Sequence, residues 1–249
     1  MNWSKYSAPQ AFYPLAGRLI PWFAIVAVAL MGVGLYMGFF VAPTDFQQGE
    51  SYRIIFVHVP AAWMSMFLYV VMAVWAGIGM GLNARLSFMM AQAIAPTGAM
   101  FTFLALLTGA MWGKPTWGAW WVWDARLTSE LILLFQYAGV MLLRTSIDDM
   151  RRADRSSAVF SLVGVVNVPI IYFSVQWWNT LHQGASVSMS TGSKMAATML
   201  MAMLIMTIAF WLYSIAVILA RVRCIVVERD SLPVWDEKPA VVQEVVEAR

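Results

Sequence analysis

Long stretches without a single Asp, Glu, Lys or Arg constrain this chain more than any motif in it. Residues 19–44, 86–113 and 195–220 are three such tracts. A helix of roughly 20 residues crosses a hydrocarbon core of about 30 Å, and each of these tracts is longer than that. The charges that exist are bunched between the tracts. Only 12% of the 249 residues are charged and 61% are hydrophobic, where a soluble domain carries about twice that share of charge. The chain therefore reads as an all-α, polytopic integral membrane protein.

Six transmembrane helices are expected, at about 19–41, 57–80, 88–111, 127–143, 158–173 and 195–219. The fourth is the awkward one. Only 13 uncharged residues separate Glu130 from Arg144, about 20 Å of helix. Either Glu130 enters the outer zone of the membrane or the bilayer adjusts locally. Pro169 lies near the end of the fifth span. No internal repeat stands out. The domain reading is one transmembrane unit over 1–230 and a polar cytoplasmic tail over 231–249, the chain already turning polar after Arg221. The first tract is too long for the apolar core of a signal peptide and reads as a retained span.

Lys and Arg set the orientation. Lys5, Arg18, Arg85, Arg144, Arg151, Arg152, Arg155, Arg221, Arg223, Arg229, Lys238 and Arg249 fall on one side; Arg53, Lys114, Arg126 and Lys194 fall on the other. Twelve against four makes the first side cytoplasmic by the positive-inside rule. Both termini are then inside, and the loop between helices 3 and 4 is outside, which in a bacterium is the periplasmic face. The basic balance of the chain thus has a topological use and carries no argument for nucleic acid.

That outer loop is WGKPTWGAWWVWDAR, residues 112–126, with Trp112, Trp117, Trp120, Trp121 and Trp123 inside twelve positions. The same side receives the only two histidines of the chain, His58 in FVHVPAAWM and His182 in WWNTLHQGAS. Neutral imidazole is a common metal ligand and an axial ligand of haem iron. Indole rings cover a broad apolar macrocycle with little entropy cost. Arg126, Lys114 or Arg53 would meet its anionic propionates. Trp117, Trp120, Trp121 and Asp124 follow i, i+3, i+4, i+7 spacing, which would align them on one face of a short helix starting late in the loop.

Blander readings stay open beside these. Tryptophan is enriched at membrane interfaces for its amphipathic ring, and interfacial histidines often serve only as hydrogen-bonded structural residues. Asp124 is also a favoured N-cap for the fourth helix. Glu130 either snorkels to the interface or marks a functional site, the default for an ionisable residue at that depth. The methionines of 195–206 read as adaptable packing. The lone Cys224 and the lack of C-x-x-C-H mean the chain is not itself a c-type cytochrome.

The segment WGKPTWGAWWVWDARLT closely resembles the WWD domain of the haem-handling family used in cytochrome c biogenesis, here about residues 112–128. Six spans, about 250 residues, and the contexts HVPAAW and WWNTLHQ make the chain similar to the cytochrome c maturation protein C (CcmC) branch. The resemblance covers nearly the whole chain up to about Ser231. It implies a non-covalent, transient haem b at the periplasmic face of the bacterial inner membrane, with His58 and His182 as axial iron ligands. It further implies contacts from Trp112, Trp117, Trp120, Trp121 and Trp123, with Arg126 and Lys114 at the propionates and Asp124 steadying the loop. The implied role is presentation of haem to the chaperone CcmE, beside the small subunit CcmD and the CcmA–CcmB ABC transporter. No Walker A pattern occurs in the sequence, so ATP hydrolysis would belong to another subunit. No acid, base or nucleophile set calls for an enzyme.

Three other classes remain. An integral b-type cytochrome for electron transfer would need histidines within its spans. A small-molecule channel would have only Gln92, Gln136 and Asn167 to line a path. A transporter carrying haem across the bilayer would have no interior histidine to mark the route.

Overall fold

The computed structural model describes residues 7–178, 182, 187–188, 192–193 and 195–231. Lys5, Lys194, Lys238, Arg249 and the expected tail beyond Ser231 lie outside the described residues. Among the described residues the regular structure is helical, apart from a short antiparallel pairing of β1 (Val187–Ser188) with β2 (Gly192–Ser193). Among the described residues, six segments are long and apolar enough to cross a membrane.

The first is α1 (Pro9–Tyr36), continued by a wider π turn over Met37–Val41. A 3-10 turn, Glu50–Ile54, leads into α2 (Ile55–Leu82). α2 turns back through Asn83, which adopts the left-handed conformation at φ 51°, into α3 (Arg85–Trp117). Asn tolerates that conformation better than most residues and is a common helix terminator. α4 (Ala125–Thr145), the broken pair α5 (Met150–Gly164) and α6 (Asn167–Trp177), and α7 (Ala197–Ser231) follow.

α2 and α3 run as a tight antiparallel pair at the centre, with α4, α5 and α7 against them, while α1 leans mainly on α7. Met64, Tyr69, Met72, Met89, Ile94, Phe101, Leu133 and Tyr137 fill the shared interior. The outward face of α1, including Trp22 at 71% exposure and Val28 at 70%, is apolar and suits lipid rather than water.

Several expected boundaries move, each for a visible reason. The third span runs on to Trp117 rather than ending at Met111, carrying the first part of the tryptophan loop as helix. The fourth begins at Ala125, so its 21 residues give about 31 Å, long enough to cross the core. Glu130, five residues into α4, is buried against α2 rather than extended to solvent. It is only 6% exposed, and Ser65 Oγ meets its Oε1 at 2.6 Å across to α2. The fifth span is longer than 158–173 and is broken at Val165–Val166. Pro169 has no N–H for the Val165 carbonyl, and its ring crowds that carbonyl, so the helix yields there. α7 continues well past Arg221, because Val222, Ile225 and Val226 remain in the core and Arg229 is paired.

Candidate functional site

Both histidines sit at the same end of the bundle as the tryptophan loop. His58 lies one turn into α2, and its ring rests on α3. Its Nδ1 is 3.0 Å from Thr108 Oγ1. Thr108 has one hydroxyl hydrogen, and the Leu104 carbonyl lies 2.6 Å away to take it. The same oxygen is then an acceptor for His58 Nδ1–H. That tautomer leaves the lone pair on Nε2. The close approach requires a glycine beneath the ring: a Cβ on Gly109 would fall 3.0 Å from His58 Cε1. Trp112, four residues after Thr108 and so on the same face of α3, closes edge-on to the imidazole with centroids 5.6 Å apart. Trp112 is held in turn by Gln48 Oε1, which accepts its indole N–H at 2.8 Å. Asp45 Oδ1 fixes that loop by accepting from the backbone N–H of Gln48 at 2.8 Å.

His182 is arranged in parallel. Its Nδ1 lies 3.1 Å from Asp124 Oδ2. A carboxylate only accepts, so Nδ1 carries the hydrogen and Nε2 again carries the lone pair. The other oxygen, Asp124 Oδ1, accepts from Leu127 N at 2.8 Å and caps α4. One carboxylate therefore starts a helix and orients an imidazole. Trp117, the last residue of α3, meets the His182 ring with centroids 4.9 Å apart. Burial moves the His182 pKa below its ordinary value, against the upward pull of the Asp124 hydrogen bond and carboxylate charge. The ring is thus neutral at pH 7, the form that ligates metal.

Arg126 lies on the same side of the bundle and its charge acts on His182. Arg126 Nη1 donates to the Ile171 carbonyl at 2.9 Å, which ties α4 to α6 and leaves further guanidinium donors.

The remaining expected residues divide. Trp121 and Trp123 pack edge to face at 5.4 Å, and the buried Trp121 N–H has no acceptor among the described residues. Trp120 and Trp123 are exposed, Trp123 by 78%. Residues 118–124 are not helical, so the face expected to align Trp117, Trp120, Trp121 and Asp124 does not form. Gly118, at φ 78°, ends α3 in a conformation that suits glycine. Lys114 Nζ donates to the Gly118 carbonyl at 3.2 Å, sealing the same end. Arg53 is spent on Glu50 and on the carbonyls of Gly38 and Ala42, where it secures the π turn of α1. Thr108, Gly109 and Gln48 were not expected. Only the i, i+4 relation of Thr108 to Trp112 hinted at the first.

A family model described as Heme exporter protein C matches residues 2–237. The chain belongs to the CcmC family. Among CcmC relatives, Heme exporter protein C of Escherichia coli K12 is 54% identical over 182 residues, covering 73% of this chain and 74% of its own. The Haemophilus influenzae protein of the same name is 42% identical over 230 residues, covering 92% and 94%. A Marchantia polymorpha protein described as a putative cytochrome c biosynthesis ccmC-like mitochondrial protein is 48% identical over 159 residues, covering 64% and 67%.

Proposed function

We propose that this multi-pass membrane protein handles haem in cytochrome c maturation, holding its cargo between His58 and His182. The observation that carries the reading is the shared arrangement. Each Nδ1 lies within hydrogen-bond distance of its own partner, Thr108 or Asp124. Ligating histidines characteristically donate their second ring nitrogen in this way, which fixes ring orientation and raises ligand basicity. His58 and His182 would hold the iron, and Trp112 and Trp117 would flank the porphyrin. Arg126 and the unpaired Trp121 N–H serve as donors to the propionates. Lys114 is the weaker candidate there, because the Gly118 carbonyl already engages it.

The cargo is non-covalent haem b, and the chain delivers it without transforming it. Trp120 and Trp123, exposed at the rim, form the surface met by the haem chaperone CcmE. CcmD and the CcmA–CcmB transporter complete the assembly. The histidine end faces the periplasm and both termini lie in the cytoplasm, in keeping with twelve basic residues against four. The tail over 231–249 is cytoplasmic. A site at a helix end and in a loop suits cargo that must leave. A resident electron-transfer haem would instead lie between helices deep in the bilayer.

The test is His58→Ala and His182→Ala, read by haem co-purified with the protein and by haem loaded onto the chaperone. Both quantities fall sharply in each variant under this reading; unchanged quantities in either variant would remove that histidine from the site.

A further inference from the structure

At the end of the bundle remote from the histidines lies a cavity of about 320 Å³ between α3, α4, α5 and α7. Its depth follows from the helices. Arg144 is in the last turn of α4, and Arg221 lies 24 residues, or about 36 Å, along α7 from Ala197. The cavity therefore sits at headgroup level of the opposite leaflet. Phe88, Ala95, Val140, Met141 and Ile225 supply apolar walls.

Its charges do not cancel. Arg229 is paired with Asp154, Nη1 and Nη2 donating to its two oxygens at 2.9 and 2.8 Å and Nη2 also donating to Gln92. Asp154 is the one acidic residue among those lining the cavity. Arg144 Nε lies 3.3 Å from Asp154 Oδ1 as an ion pair without hydrogen-bond geometry, so Arg229 and Arg144 share one carboxylate. Among the described residues, Arg221 donates to the neutral Thr97 hydroxyl. Glu228, exposed on α7, also bears on Arg144 but does not line the cavity. Three guanidiniums against one carboxylate thus leave an excess of positive charge over an apolar chamber. A buried donor without an acceptor is costly, and the planar fork of Arg matches phosphate and carboxylate oxygens.

We propose that this cavity binds one amphipathic anion, the phosphate of an acidic membrane phospholipid, with its acyl chains along the apolar wall. Basic pockets between transmembrane helices recognise such headgroups. The haem cargo shares this chemistry through its propionates, but no histidine lines the chamber to hold iron. The inference stands apart from the haem site.

The experiment uses the full chain, reconstituted in phosphatidylcholine bilayers with a minority of phosphatidylglycerol and then released for native mass spectrometry. Wild type retains one phosphatidylglycerol in preference to phosphatidylcholine. The double substitution Arg144→Gln with Arg221→Gln lowers that retention about tenfold, as loss of charge-assisted hydrogen bonds does. Arg151→Gln with Arg152→Gln, both exposed on α5 outside the cavity, leaves it unchanged. Equal retention of the two lipids by wild type overturns the proposal without reference to any variant. Undiminished phosphatidylglycerol in the Arg144/Arg221 variant also overturns it. So does its displacement by added haem from wild type but not from that variant, which would give the cavity to the cargo.

Discussion

Thr108 and Asp124 touch nothing that reacts, yet they decide which nitrogen each imidazole presents. Replacing Thr108 with Val keeps the volume and removes the acceptor, freeing the His58 ring to turn or change tautomer. Haem affinity of the purified protein, measured by titration, should fall roughly 10–100-fold, the usual range when a ligating histidine loses its second partner. Thr108→Ser should restore most of it. His182 adds a pH dependence with a definite sign. Its pKa is lowered by burial, so the folded protein favours the neutral ring. The corresponding stability is complete above the unfolded value of about 6.5 and is lost as pH falls through the folded one. Haem release on acidification should therefore have its midpoint below pH 6.5. A midpoint above that value would show that the imidazole is not shielded as described.

At the scale of elements, α4 joins the outer site to the membrane interior. Its first residues carry the Asp124 cap and Arg126; one turn further on, Glu130 meets Ser65 of α2. Tyr137, still on α4, donates to the Ser65 carbonyl at 2.8 Å and closes the contact. Glu130→Ala should lower unfolding stability in detergent by about 1–3 kcal/mol, from the lost hydrogen bond and the void left behind. Glu130→Gln, which can still pair with the Ser65 hydroxyl, should lose less. Equal losses would make the contact a matter of volume alone.

The same helix shows what the sequence could and could not reveal. Charge-free tracts located all six spans, since crossing hydrocarbon demands a minimum apolar length. They placed Glu130 poorly, because hydropathy registers depth and not the neighbour that makes a carboxyl tolerable. The i, i+4 rule anticipated a helical tryptophan face, but Gly118 ends α3 first. The kink before Pro169 was marked by the proline, though the continuation of the span to either side was not. Gln48 could not have been found from spacing, since its partner lies 64 positions away.

For the whole molecule, the two ends carry different groups. One gathers the imidazoles, the indoles and Arg126; the other gathers Arg144, Arg221, Arg229 and Asp154. If the first faces the periplasm, Phe46→Cys should be labelled by a membrane-impermeant thiol reagent in intact spheroplasts, with Cys224 replaced by Ser. Phe46 is 100% exposed in the loop that Gln48 ties to Trp112. Asp148→Cys, in the exposed turn between α4 and α5, should react only after permeabilisation. The reverse pattern would invert the orientation.

Convergence of two distant imidazoles on one iron is the claim beneath all of this, and an absorption spectrum of the purified, haem-loaded protein addresses it directly. Wild type should give the low-spin spectrum of iron with two nitrogen ligands. His58→Ala and His182→Ala should each abolish it, and added imidazole should restore it in both. A wild-type spectrum retained by either variant would contradict the paired-histidine site.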